Sequence, residues 1–77
     1  MKGVNAMKVK VNLDTMTSIQ KFVEVVSSVE ENVTLKDALG HCVNAKSLLG
    51  AIYTMEWTDI YCHCEKDISG LILSWIM

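Results

Sequence analysis

The sequence predicts an α+β fold: an open-faced β-sandwich in the order βαββαβα, with one four-stranded, mostly antiparallel sheet covered on one face by three helices. Three observations carry this expectation. Apolar and polar residues alternate strictly from Met7 to Leu13, again in two short runs either side of Gly40, and again from Thr58 to Glu65. Between these runs, apolar residues recur at helical spacing. The two middle strands are joined by a short connection, which rules out an all-parallel doubly wound sheet, because parallel neighbours need a long crossover.

In the first strand Met7, Val9, Val11 and Leu13 fall on one face and Lys8, Lys10 and Asn12 on the other, as a half-buried strand requires. Residues 1–6 add no pattern and read as a loose lead-in to a single domain spanning residues 1–77. Asp14 to Ser18 then punctuates the chain. Thr17 followed by Gln20 fits a capping box, and Asp14 or Thr15 also suits a cap. Ile19, Phe22, Val23, Val26 and Val29 follow at helical spacing and predict a helix over about residues 17–29, against the weak helix propensity of valine.

Glu30-Glu31-Asn32 ends that helix. Val33 to Lys36 and His41 to Asn44 form a hairpin around Ala38-Leu39-Gly40. A short second helix follows within Ala45 to Met55, capped by Asn44 or Ser47 and carrying Leu48, Leu49, Ile52 and Met55. In the last strand Ile60, Cys62 and Cys64 point one way and Asp59, Tyr61 and His63 the other. Asp67 is expected to cap a final helix whose apolar face is Ile68, Leu71, Ile72, Trp75 and Ile76.

Seventy-seven residues leave room for one core. A net charge of −2, with seven basic residues against nine acidic ones, offers no footprint for nucleic acid. The small cluster Lys2, Lys8 and Lys10 reads as the solvated face of a strand. The most apolar stretch, Ile68 to Met77, is about half of the ~20 residues a spanning helix needs, so no membrane span is expected. Three cysteines with no secretory leader before them point to a reduced, cytoplasmic protein.

The pairs His41-Cys42 and Cys62-His63-Cys64 raise the question of a metal. Zinc needs convergent ligands, but alternation turns Cys62 and Cys64 towards the core and His63 away from it. Cys42, Cys62 and Cys64 therefore read as small buried hydrophobes, and no metal or other cofactor is expected. His41, in or beside the hairpin turn, and His63, on the solvated face, read as surface histidines. Hydrophobic residues make up 51% of the chain, enough to leave apolar surface for a protein partner or a homodimer contact. The final helix would carry more apolar side chains than one face can bury.

Val43-Asn44-Ala45-Lys46-Ser47-Leu48-Leu49-Gly50, a strand end running into a short helix, resembles the signature around the regulatory serine of the histidine-containing phosphocarrier protein (HPr) family of the bacterial sugar phosphotransferase system. The element order conforms over roughly residues 7–76. The resemblance implies that the strand holding Cys42 lies at a sheet edge, apart from the strand holding Cys62. It also implies that the family's phosphoacceptor histidine falls on Thr15 and its arginine on Thr17, so both are missing here. Phosphohistidine can pass its phosphoryl group on, whereas a threonine phosphoester is stable and would end the relay. The lost arginine would have held the transferring phosphate through paired hydrogen bonds.

What the resemblance implies is thus a non-catalytic relative, not an enzyme: a regulatory or protein-interaction module. It is Crh-like in keeping the serine, at Ser47, while lacking the histidine. The implied interaction surface comprises Lys46, Ser47, Leu48, Leu49, Met16, Ile52 and Met55, with Tyr53 and Trp57 nearby. The implied partners are proteins of the phosphotransferase system or its regulators. A serine at a helix start also serves simply as a cap, with no kinase involved. Two alternatives remain beside this reading. One is an active phosphocarrier with a different acceptor, His41 or His63; the other is a small metal or redox domain built on the cysteines.

Overall fold

The alternating runs become strands. The computed structural model describes residues 6–77, in which β1 is Met7–Val11, β2 Val33–Lys36, β3 Cys42–Asn44 and β4 Ile60–Cys64. They form one antiparallel sheet in the order β1-β4-β2-β3. The Cys42 strand is at an edge, with β2 between it and β4. Alternation sets the faces: Val11, Val33, Leu35, Ile60, Cys62 and Cys64 are buried, while Lys8, Lys10 and Lys36 are exposed. The proposed lead-in over residues 1–6 lies almost wholly outside the described residues.

Helix α1 is Met16–Val26 and buries Ile19, Phe22 and Val26 against the sheet. It stops three residues before the expected end at Val29. Ser27 and Ser28 turn their hydroxyls back onto the carbonyls of Val23 and Val25, competing with continuation of the backbone ladder. Helix α2 is Leu48–Tyr53, followed by a single 3₁₀ turn over Thr54–Glu56. Buried side chains from both helices, the inner face of β1, β2 and β4, and the C-terminal segment join in one core cluster, with Val43 of β3 packed against its margin.

The final helix expected from residue 68 onward does not form, so two α-helices rather than three cover the sheet. After β4 the chain makes successive turns and one 3₁₀ turn, Leu73–Trp75. The Asp67 carboxylate accepts from the Ser69 N–H and the Ser69 hydroxyl, closing a turn instead of starting a helix. Leu71 N–H and Trp75 N–H donate to Ile68 and Ile72 carbonyls, three residues back rather than four. The end of the chain then lies beside β1: Ile76 bridges Val11, Asn12 N–H donates to Trp75 at 2.8 Å and Met77 N–H to Lys10 at 3.0 Å. Ile68 and Ile72 still reach the core, but Leu71 and Leu73 are exposed. Trp75 meets Phe22 edge-on, with ring centroids 5.4 Å apart.

Burial also sorts the three free cysteines: Cys42 is exposed, and Cys62 and Cys64 are buried. The exposure of Cys42 corrects its expected place in the core, because it projects from the outer face of an edge strand. Burial, with a smaller contribution from Cys64, pushes the Cys62 thiol up to about 12. A disulfide-exchange reagent at pH 8 is therefore expected to titrate one thiol quickly in the native protein and the remaining two only after unfolding. Fast reaction of more than one native thiol would contradict this packing.

Candidate functional site

Helix α1 begins just after Thr15, one of the polar positions singled out in the sequence. Thr15, in extended conformation, is the N-cap: its Oγ1 accepts from Ser18 N–H at 3.1 Å, and its carbonyl accepts the first helical bond, from Ile19. The capping-box assignment to Thr17 is thereby corrected, since Thr17 lies exposed within the first turn. A depression of about 460 Å³ here is lined by Asn12, Asp14, Thr15, Thr17, Ser18, Lys21, Ser74 and Trp75. Neither histidine is among them. The polar groups on offer are hydroxyls, the Asn12 amide, one carboxylate and one ammonium, with no imidazole among them to form a phosphohistidine.

Ser47 begins α2 in the same manner. Its Oγ accepts from Gly50 N–H at 3.1 Å and its carbonyl from Ala51 N–H at 2.9 Å. The chain leaves β3 through a tight turn in which the Asn44 side chain accepts from Lys46 N–H. Gly50 allows the close approach this demands, since a Cβ there would meet the Asn44 carbonyl at 3.3 Å and Val43 Cβ at 3.4 Å. The Lys46 ammonium donates to the Val29 carbonyl, tying the entry of α2 to the turn after α1. Lys46 thus has a structural partner, and the rest of the expected surface divides by exposure. Met16, Leu48, Leu49, Tyr53 and Met55 are exposed, whereas Ile52 is half-buried against the core. Leu48 borders a groove with Thr17, Gln20, Lys21, Val23 and Glu24 of α1. Met55 shares a depression with Asn12, Leu13 and Asp14, so the 3₁₀ turn after α2 meets the loop that precedes α1.

A third cluster was not foreseen from the sequence. In the β2–β3 hairpin, Asp37 accepts from Leu39 N–H and His41 N–H through Oδ1, and its Oδ2 is 2.7 Å from His41 Nδ1. Gly40, at φ 100°, supplies the left-handed residue that the turn needs. The His41 ring stacks on Trp57 at 5.9 Å, and both line a cleft of about 390 Å³ with Leu39, Glu56, Thr58 and Asp59. An imidazole with Nδ1 held by a carboxylate has Nε2 left to accept a proton or an electrophile. Its neighbours oppose a phosphoryl group, however. Glu56 and Asp59 line the cleft, and the nearby Lys10 is spent on Asp59 at 3.0 Å, an ion pair and hydrogen bond that raise the lysine's pKa.

Burial pushes the Asp37 carboxyl up, but the hydrogen bonds from the His41 ring, His41 N–H and Leu39 N–H outweigh it and hold the group below its ordinary value. A depressed folded-state pKa stabilises the fold above the unfolded value of about 3.9, and the contribution is lost as pH falls through the folded value. Asp37→Asn is therefore expected to flatten the loss of stability below about pH 4, measured as urea midpoint against pH. An unchanged acid limb would show that this carboxylate is not held as described.

Among the described residues, no three or more His, Cys, Asp or Glu side chains converge as a metal would require, and no helix is long and apolar enough to cross a membrane. Cys62 and Cys64 lie on the core side of β4 and His63 on the opposite side. No family model, curated protein or solved structure matches the chain.

Proposed function

We propose that the chain is a non-catalytic HPr-like protein, a cytoplasmic regulatory or protein-interaction module related to the bacterial sugar phosphotransferase system, acting through the start of α2. The observation that carries this reading is the contrast between the two helix starts. At α1 the acceptor position holds Thr15, whose oxygen caps the helix; at α2, Ser47 is bordered by the exposed apolar side chains of Leu48 and Leu49. Phosphorylation of Ser47 would place about −1.5 to −2 charge beside that apolar surface and change what it binds. Partners on this reading are proteins of that system or its regulators, with a second copy of the chain as the competing occupant.

Incubation with ATP and the family's serine kinase tests the regulatory form. Acid-stable label on Ser47 alone, abolished in Ser47→Ala, is the expected result. A chain that remains unlabelled while authentic HPr is labelled in the same mixture would reduce Ser47 to a cap. A second reading, an active carrier that uses His41, draws support from the 2.7 Å Asp37–His41 contact. The carboxylates around that cleft weigh against it.

A further inference from the structure

We infer that the open face of the sheet is a docking surface for an extended acidic polypeptide segment. This face is opposite the helices, so the inference stands independently of any role for Ser47. The four strands contain Lys8, Lys10, Lys36 and His63 and no carboxylate, in a chain whose acidic residues outnumber its basic ones nine to seven. Alternation turns all four groups away from the core, and the register gathers them. Lys8 is opposite His63, which is opposite Thr34; Lys10 is opposite Tyr61, which is opposite Lys36. β1 and β2 flank β4, so the lysines stand on both sides of Tyr61 and His63, two strand spacings or about 10 Å apart.

Few carboxylates face this charge among the described residues. Lys10 pairs with Asp59, but among the described residues neither Lys8 nor Lys36 has a carboxylate within salt-bridge distance. The Lys8 ammonium sits 5.2 Å from the centre of the Tyr61 ring. Glu65 shares the rim of a depression of about 330 Å³ with Asn32, Thr34, Lys36 and His63. The positive field registers on His63, whose pKa is lowered by burial first and then by Lys36 and Lys8.

The same features select the ligand class. Single-stranded nucleic acid binds through open aromatic platforms along a basic track. Here Tyr61 is the sole Phe, Tyr or Trp of the four strands and its ring is engaged by Lys8, so no open aromatic platform is offered for stacking bases. An extended polypeptide instead repeats side chains on one face every ~6.8 Å, the spacing of Lys8 and Lys10 along β1.

The test titrates the ¹⁵N-labelled full chain with a decapeptide of alternating glutamate and serine. Expected are amide shifts centred on Lys8, Lys36, Tyr61 and His63, a rise in the His63 pKa on binding, and a roughly tenfold weakening between low and physiological salt. Lys8→Gln/Lys36→Gln should weaken binding about tenfold with its urea midpoint unchanged, whereas Lys21→Gln/Lys66→Gln should leave binding as it is. The salt titration reads the wild-type chain and does not depend on either variant folding. Absence of binding, shifts centred on α1 or α2, or equal binding by the two double variants would overturn the proposal. Tighter binding of an oligothymidylate of the same charge would overturn its assignment to polypeptide.

Discussion

Phe22→Ala is expected to cost about 3–5 kcal/mol, enough to leave most molecules unfolded at 25 °C. Phe22 is fully buried, it is the largest of the fully buried side chains, and it meets Trp75 edge-on. One core of this size rarely supplies more than ~3–5 kcal/mol of net stability, so the deletion removes roughly all of it. The cavity would open between α1 and the C-terminal segment, where turns rather than a helix must collapse to fill it. Phe22→Leu should retain the fold at a cost of about 1–2 kcal/mol. Urea unfolding followed by far-ultraviolet circular dichroism separates these outcomes. A loss under ~1 kcal/mol for the alanine variant would mean that this ring does not organise the core.

Removing Trp75 to Met77 is expected to cost about 3 kcal/mol without removing helical signal from the molecules that stay folded. The three residues contribute the Trp75 contact with Phe22, the Ile76 bridge to Val11 and the backbone bonds at Asn12 and Lys10. Hydrogen exchange gives the local readout, because the Asn12 amide loses its acceptor and should exchange far faster in the truncated chain. A helix over residues 68–76 would predict the reverse: a drop in ellipticity at 222 nm and no change at Asn12.

The sheet was legible because each strand states its faces by alternation and because the buried face leaves only one workable register. Helix α1 was legible from Ile19, Phe22 and Val26, but not its first residue. Asp14, Thr15 and Thr17 are all competent caps, and the choice falls to backbone conformation at Thr15. The final segment misled for a physical reason. Ile68, Ile72, Trp75 and Ile76 have helical spacing, and Ile68 and Ile72 are buried as a helix would bury them. The Asp67–Ser69 turn and the pull of the β1 edge nevertheless reach that burial by another path.

The Asp37–His41 pair was hidden for a similar reason. It exists only when a left-handed Gly40 folds the hairpin back on itself and Trp57 arrives from the far side of α2. The charge of the open face was half legible. Alternation sends each lysine outward, but only the strand order sets β1 and β2 on either side of Tyr61 and His63.

Exposure to phosphoenolpyruvate and the general phosphotransferase, followed by intact mass and acid-stability analysis, asks most directly whether the chain can carry phosphate. With Thr15 committed to capping α1 and neither imidazole lining the depression at that helix start, the predicted result is an unmodified chain while authentic HPr in the same mixture is fully phosphorylated. An acid-labile phosphate on His41 or His63, passed on to a downstream acceptor, would contradict the non-catalytic reading.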